Sequence, residues 1–167
     1  MTICCLGDLL LDVIVRLEQP LATGADARSR IALRPGGQAA NVAAWVAELG
    51  GRSRLVGKRG ADDVGLFAAS RLLELGVEIV GPVTAGGTGV VVALVDTSGE
   101  RTMCSDRGVA TGLRPEEVNE AWFDGCSHLH VSGYALLREP LRFAARAAID
   151  AARTRGPGSA LTSHRGA

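Results

Sequence analysis

Short apolar runs that are typical of buried strands alternate with helical stretches along most of this chain. The run from Thr2 to Leu6 ends at Gly7-Asp8 and predicts a buried first strand. Because strands joined through helices form layered folds, the alternation predicts an α/β protein with helices on both faces of a sheet. The other predicted strands are Ser53 to Val56, Val77 to Val80 and Ser127 to Val131, and the predicted helices are Asn41 to Leu49, Val64 to Leu75 and Leu141 to Arg153.

Two segments, near residues 12–33 and 88–106, do not follow this alternation. In the first, an apolar run over Leu11 to Leu17 is broken by polar residues and resumes at Ile31. In the second, Thr88 to Val95 is the most strand-like run of the chain, and a turn then allows the chain to pair back as a hairpin. We expect these two segments to form a small separate β-sheet beside the main sheet.

The bulk composition limits the classes of partner. Basic and acidic residues balance at 18 each, which argues against nucleic acid or an anionic membrane as the partner. Hydrophobic residues make up 47%, but no run reaches the roughly 18 apolar residues that a membrane-spanning helix needs. The apolar stretch at the N-terminus is short and uncharged and is broken by Asp8, so no signal peptide is predicted and the cytoplasm is the expected location.

A pair of glycines directly before a predicted helix is the strongest candidate for a binding site. Gly36 and Gly37 allow a ligand to approach the backbone closely, and the free N–H groups of the helix start would face it. Gln38 and Asn41 could supply some of the donors and acceptors that a polyhydroxylated sugar needs. On local grounds a simple glycine turn, with Asn41 as an ordinary helix-start residue, stays open.

The spacing of fixed residues resembles the N-terminal signature of the PfkB/ribokinase family of carbohydrate kinases. That signature is Gly-Gly, a short gap, Asn, a small residue two positions further on, and two later glycines. This chain matches it at Gly36, Gly37, Asn41, Ala43, Gly50 and Gly60. The flanking segments agree with it, and the resemblance runs from about residue 3 to 155. It implies a ribokinase-like three-layer α/β/α sandwich with a small β-sheet lid, which in this family often pairs between subunits and would here support a homodimer.

The resemblance also implies roles for particular residues. Asp12 would accept hydrogen bonds from sugar hydroxyls, Gly36 and Gly37 would let the backbone reach the sugar, and Asn41 would bond another hydroxyl. Arg107 lies where relatives place a residue over the sugar, and an arginine there could meet an acid or a phosphate group. The expected partner is therefore a small-molecule sugar or sugar acid.

Two positions differ from the ribokinase-like members and disfavour ribose as the sugar. Leu10 stands where those members have an asparagine, and Gln38 stands where a lysine is frequent. The Arg107-Gly108 pair and the segment His-Val-Ser-Gly-Tyr at 130–134 favour ketodeoxygluconate- or fructose-type relatives.

The second signature of the family does not occur in the 167 residues. It is a glycine-rich G-A-G-D-like loop whose N–H groups hold the phosphate charge and whose aspartate deprotonates the attacking hydroxyl. The family uses ATP and Mg²⁺, but we expect neither to bind well to this chain, which resembles the N-terminal portion of such a kinase. We therefore expect no catalytic residue here and an inactive chain, with an irregular tail over residues 156–167.

Other functions stay open. A small α/β sugar-binding or regulatory module that does not phosphorylate its ligand would use the same site. A Rossmann-type nucleotide-binding domain is disfavoured because no G-x-G-x-x-G follows the first strand. The stretch from Gly51 to Lys58 resembles a Walker A loop but has a spacer one residue too long. His128 and His130 share one strand face but lack a third ligand, so no metal site is predicted.

Overall fold

A parallel five-stranded sheet forms the centre of the protein in a computed structural model, which describes residues 1–155 and 160–164. Each strand pairs in parallel with its neighbours. In spatial order the strands are β11 (Ala160–His164), β10 (Cys126–Ser132), β1 (Thr2–Leu6), β4 (Arg52–Val56) and β6 (Glu78–Val80).

Helices cover both faces of this sheet. The helices α1 (Gln38–Glu48) and α2 (Asp63–Glu74) share a core with Cys5 of β1. Helix α3 (Leu141–Arg155) packs on the opposite face, in a core that contains Cys4. Neighbouring residues of β1 thus enter different cores, because side chains alternate across a strand. The expected three-layer α/β/α sandwich is confirmed.

Small side chains bring the helices close to the sheet. The surface of α1 that faces the sheet is formed by Ala39, Ala40 and Ala43, and all three are fully buried. Such residues lose little side-chain entropy on burial and favour the helical state. No helix among the described residues is both long and apolar enough to cross a membrane.

The two segments that do not follow the βα alternation form a separate four-stranded sheet, as expected. Thr88–Val95 lies inside this sheet and not in the central one. Near its N-terminal end, Val91 packs with Leu10 of the same sheet and with Ala110 of the 3₁₀ turn at 109–112. In spatial order the strands are β3 (Ser29–Gly36), β2 (Leu10–Leu17), β8 (Thr88–Val95) and β9 (Arg101–Gly108). Whether this sheet pairs between subunits stays a prediction.

The end of the chain differs from the sequence-based expectation. An irregular tail was expected over residues 156–167, and this is wrong for Ala160–His164, which form β11. This strand pairs in parallel with β10, with Ala160 opposite His128 and His164 opposite Ser132. An edge strand needs only backbone donors and acceptors on the adjacent strand, so its sequence carries little periodic signal. The rest of the expected tail lies outside the described residues.

Asp62 joins the central domain to the second sheet. Its carboxylate caps α2 by accepting from Gly65 N at 3.0 Å. The same carboxylate accepts from Thr88 N at 2.8 Å and from Thr88 Oγ1 at 2.6 Å, at the first residue of β8. Thr88 Oγ1 in turn accepts from Gly60 N at 3.0 Å, next to a short pairing of β5 (Arg59–Gly60) with β7 (Val83–Thr84). One side chain therefore fixes a helix start and a strand start together.

We expect Asp62→Ala to lower the free energy of unfolding by about 1–3 kcal/mol, because it removes a helix cap and leaves two backbone donors without their acceptor. Urea denaturation measures this change. The matched control is Asp63→Ala, which removes an exposed carboxylate from the first turn of α2 and should cost less. Equal effects of the two substitutions would contradict the role given to Asp62.

The acid dependence of stability gives a second readout for Asp62. The hydrogen bonds from Thr88 hold the pKa of the Asp62 carboxyl below its usual range. A carboxyl whose pKa is depressed by folding stabilises the protein above its unfolded pKa, and the contribution is lost as the pH falls through the folded pKa. Between about pH 7 and about pH 3 the Asp62→Asn variant should therefore lose less stability than the wild type.

Candidate sugar-binding site

A crevice is expected where the strand order of the central sheet reverses. β1 lies between β4 and β10, and the chain first builds β4 and β6 on one side before it returns to β10 on the other. Open α/β sheets bind ligands outside the carboxyl ends of the strands at such a reversal. Gly7 follows β1 here, and a Cβ at this position would lie 2.7 Å from Cβ of Ser132 and 2.9 Å from Cβ of Ala39. The ends of β1 and β10 and the start of α1 therefore meet at one place.

The glycine pair lies at this meeting point and allows a close backbone approach. Gly37 is the N-cap of α1 and has φ of 99°, a conformation that side chains rarely adopt. A Cβ at Gly37 would overlap the carbonyl oxygen of Asp8, and a Cβ at Gly36 would overlap the carboxylate of Asp12. Gly37 thus requires glycine for steric reasons, whereas at Gly36 a larger residue would force the Asp12 side chain to move.

Gln38 connects α1 to the end of β10. Its side-chain oxygen accepts from Ser132 Oγ at 2.7 Å and from Gly133 N at 3.2 Å. The oxygen is therefore engaged within the protein and fixes the start of α1 relative to the end of β10. Gln38 thus has a structural task that its sequence position did not indicate.

Asp8 is the principal residue of the crevice that the sequence analysis did not select. Its side chain is 3% exposed and forms an ion pair with Arg107, which also lies 4.4 Å from the ring centroid of Tyr134. Burial raises the pKa of the Asp8 carboxyl, while the charge of Arg107 opposes that rise. Among the described residues, Asp8 Oδ1 is a buried acceptor without a hydrogen-bond partner. Its position directly after the first strand could have indicated a site residue, because ligands bind at the carboxyl ends of parallel strands.

Asp12 lies near the start of β2, close to the point where this strand pairs with the glycine segment through Leu10 and Gly36. Its carboxylate touches the backbone of Gly36, and the side chain is half-buried. Desolvation by this burial raises the pKa of the Asp12 carboxyl. A half-buried carboxylate next to a bare backbone can accept hydrogen bonds from hydroxyl groups that enter from the crevice.

Asn41 lies one turn further along α1 than Gly37 and is exposed. It lines a neighbouring cleft of about 520 Å³ together with Arg34, Pro35 and Trp45. The structure thus links Asp12, Gly36, Gly37, Gln38 and Arg107 through a chain of contacts at the ends of β1 and β10. Asn41 is joined to this group only through the backbone hydrogen bond from Asn41 N to Gly37 O. That its side-chain amide reaches the same ligand stays a prediction.

The Walker-like stretch forms no phosphate loop. Arg52–Val56 within it is β4, a strand of the central sheet. Backbone N–H groups that pair with neighbouring strands cannot converge on a phosphate. His130, also considered as a ligand, is a buried residue of β10.

The fold is that of an α/β protein with polar side chains gathered at the carboxyl ends of its central strands, and comparison with known proteins identifies its family. The profile of the pfkB family of carbohydrate kinases matches residues 1–163. The chain therefore belongs to the pfkB family, a family of ATP-dependent sugar kinases with the ribokinase fold.

Individual relatives agree with this assignment. The ATP-dependent ribose-1-phosphate kinase of Halopiger xanaduensis is 36% identical over 129 residues, which cover 75% of this chain and 44% of that protein. A fructokinase from Xylella fastidiosa, solved with bound ATP, is 26% identical with a TM-score of 0.77, and the match covers 96% of this chain and 50% of that one. A ribokinase II from E. coli, solved with ATP and Mg²⁺, has a TM-score of 0.79 at 22% identity over 97% of this chain and 51% of that one. The chain spans about half the length of the relatives it matches.

Proposed function

We propose that this chain is the sugar-binding portion of an ATP-dependent carbohydrate kinase that phosphorylates a hydroxyl of a sugar or sugar acid. The observation that carries the proposal is the contact between the Asp12 carboxylate and the Gly36 backbone at the mouth of the crevice. A carboxylate that is held against a side-chain-free backbone offers several acceptors in a small space, as recognition of neighbouring hydroxyls requires.

We assign a different role in sugar binding to each of these residues. Asp12 accepts hydrogen bonds from sugar hydroxyls, and Asn41 bonds a further hydroxyl from the start of α1. The absence of side chains at Gly36 and Gly37 lets the start of α1 pack directly against the Asp12 carboxylate and the Asp8 backbone, which places these acceptors beside the helix start. Arg107, held by Asp8 and Tyr134, closes the crevice from the side of the second sheet.

The role of ATP in this proposal rests only on the chain's membership of the pfkB family. ATP would supply the transferred phosphoryl group, and Mg²⁺ would neutralise its charge. The 167 residues contain no G-A-G-D-like loop that could hold that charge, and the residues present do not fit an ATP site. The role that we propose for this chain is therefore to bind and orient the acceptor sugar.

Replacing Asp12 tests the proposed function. We expect Asp12→Asn to weaken the binding of fructose or 2-keto-3-deoxygluconate by roughly 10- to 100-fold, because hydrogen bonds to a charged acceptor contribute that much. Isothermal titration calorimetry of the 167-residue chain measures the dissociation constants of both sugars. Asp26→Asn removes the same charge from the exposed loop between β2 and β3 and is the matched control. Equal affinities for the wild type and the Asp12→Asn variant would refute the proposed site.

A further inference from the structure

A surface cleft between α1, α2 and the end of β3 takes no part in the proposed sugar site, apart from the shared residue Asn41. It has a volume of about 520 Å³, and we call it the α1–α2 cleft. Both helices contact β3, so three elements of defined structure form its walls. These walls combine apolar side chains with charged side chains of both signs.

Large apolar side chains are exposed in and beside the α1–α2 cleft. Trp45 and Leu75 line it and are 64% and 40% exposed, and Leu49 is 84% exposed. Leu49 follows Trp45 by four residues, so the two side chains lie on the same side of the helix end. Clustered apolar side chains of this size mark sites of protein association, and tryptophan is among the residues that contribute most to such interfaces.

The charged side chains of the cleft divide into a paired set and an unpaired set. Arg71 Nη1 lies 2.9 Å from Glu74 Oε2, so these two residues neutralise each other. Arg34 and Glu48 are exposed, and neither side chain forms an ion pair or a hydrogen bond with any residue that the structure describes. The cleft therefore carries one unpaired positive charge and one unpaired negative charge beside its apolar residues.

This arrangement of charge is self-complementary. When two copies of the chain face each other across a two-fold axis, Arg34 of each copy can meet Glu48 of the other, which forms two ion pairs at once. A strongly acidic or strongly basic partner would instead place a like charge against one of the two residues, which disfavours the contact. The chain has no net charge at pH 7, so no repulsion between net charges opposes the approach of a second copy.

We propose that the α1–α2 cleft is the interface of a two-fold symmetric homodimer and that Trp45 is its central apolar contact. Trp45, Leu49 and Leu75 of one copy are buried against the same residues of the other, and the pairs of Arg34 with Glu48 flank them. This interface lies on the helical layer, and it differs from the pairing through the four-stranded second sheet that the family resemblance implies. None of these residues has a role in the proposed sugar site, so dimerisation and sugar binding can be tested separately.

Sedimentation velocity of the 167-residue chain at a series of concentrations tests this interface. We expect an equilibrium between monomer and dimer. Trp45→Ala should raise the dissociation constant of the dimer by roughly 30-fold or more, as truncation of a central interface tryptophan does. Leu137→Ala removes a leucine that is 53% exposed and lies outside the cleft, so this control should leave the dissociation constant unchanged.

Reversal of the two unpaired charges distinguishes a direct contact from a change in folding. Arg34→Glu and Glu48→Arg should each prevent dimerisation, since each variant places like charges opposite each other twice. An equimolar mixture of the two variants should form a heterodimer, because both contacts then join opposite charges. Variants that had failed to fold would not recover association on mixing, and far-UV circular dichroism checks the fold of each one.

Three results would overturn the interface. The first is a chain that stays monomeric at every concentration, and the second is a dimer that Trp45→Ala leaves intact. If Ile31→Asp, on an exposed position of β3, dissociates such a dimer, the second sheet is the contact instead. The third is a mixture of the Arg34→Glu and Glu48→Arg variants that does not associate, which would refute the pairing of these two residues.

Discussion

The 167-residue chain is expected to form no ADP in a sugar-dependent manner when it is incubated with ATP and Mg²⁺. Phosphoryl transfer depends on positioning and on stabilising the charge of the transferred group. The chain contains no G-A-G-D-like loop, and removing a single anion-holding donor already slows an enzyme by roughly 10²–10³-fold. Without the loop and its base aspartate, we expect turnover to fall below detection.

A coupled ADP assay against a panel of ketoses, pentoses, nucleosides and sugar acids measures this turnover. A full-length fructokinase, run in parallel on fructose, shows that the assay can detect the activity. Sugar-dependent ADP formation well above the buffer blank, abolished by Asp12→Ala, would contradict the expectation. Sugar binding without turnover would agree both with a kinase portion and with a non-catalytic sugar-binding module.

Replacing Gly37 with alanine should have the largest effect on folding of any substitution in the crevice. Gly37 has φ of 99°, and its added Cβ would overlap the carbonyl oxygen of Asp8. That oxygen belongs to the backbone that leaves the central strand β1, so it cannot rotate away as a side chain could. We expect the free energy of unfolding to fall by more than about 3 kcal/mol, a loss that is typical of strain combined with a steric clash.

Gly50→Ala separates the two causes of this loss. Gly50 also has a positive φ, of 81°, but a Cβ there would meet no atom within 4 Å. Its alanine variant should therefore lose about 1 kcal/mol through backbone strain alone. Urea denaturation of both variants measures the difference. If Gly37→Ala were no less stable than Gly50→Ala, the close packing of α1 against the end of β1 would be wrong.

The elements that the sequence predicted well are those with a strong local signal. Thr2–Leu6 and Thr88–Val95 were predicted with the bounds that the structure has, because both are continuous or alternating apolar runs between turns. The helix predicted from Val64 to Leu75 matches α2 to within one residue at each end. The separate sheet followed from two hairpin-like segments that interrupt the alternation.

What the sequence did not indicate depends on contacts between distant residues. Asp8 and Arg107 are 99 positions apart, and only the return of β9 to the crevice brings them together. Gln38 was selected as a ligand-binding residue, yet its oxygen is engaged by Ser132 and Gly133, which are more than 90 positions away. β11 was missed because an edge strand is stabilised by pairing with β10 and needs no pattern of its own.

Mapping the binding site of fructose by NMR spectroscopy tests the central claim most directly. The claim is that a sugar binds where β1 and β10 end and α1 begins, and a titration of the ¹⁵N-labelled chain locates the affected backbone amides. We predict the largest chemical-shift changes at Asp8, Gly36, Gly37 and Gly133, with little change at Gly76, which lies beyond the end of α2. Saturable changes confined to the cleft of Trp45 and Arg71, with none at the glycine pair, would contradict the account.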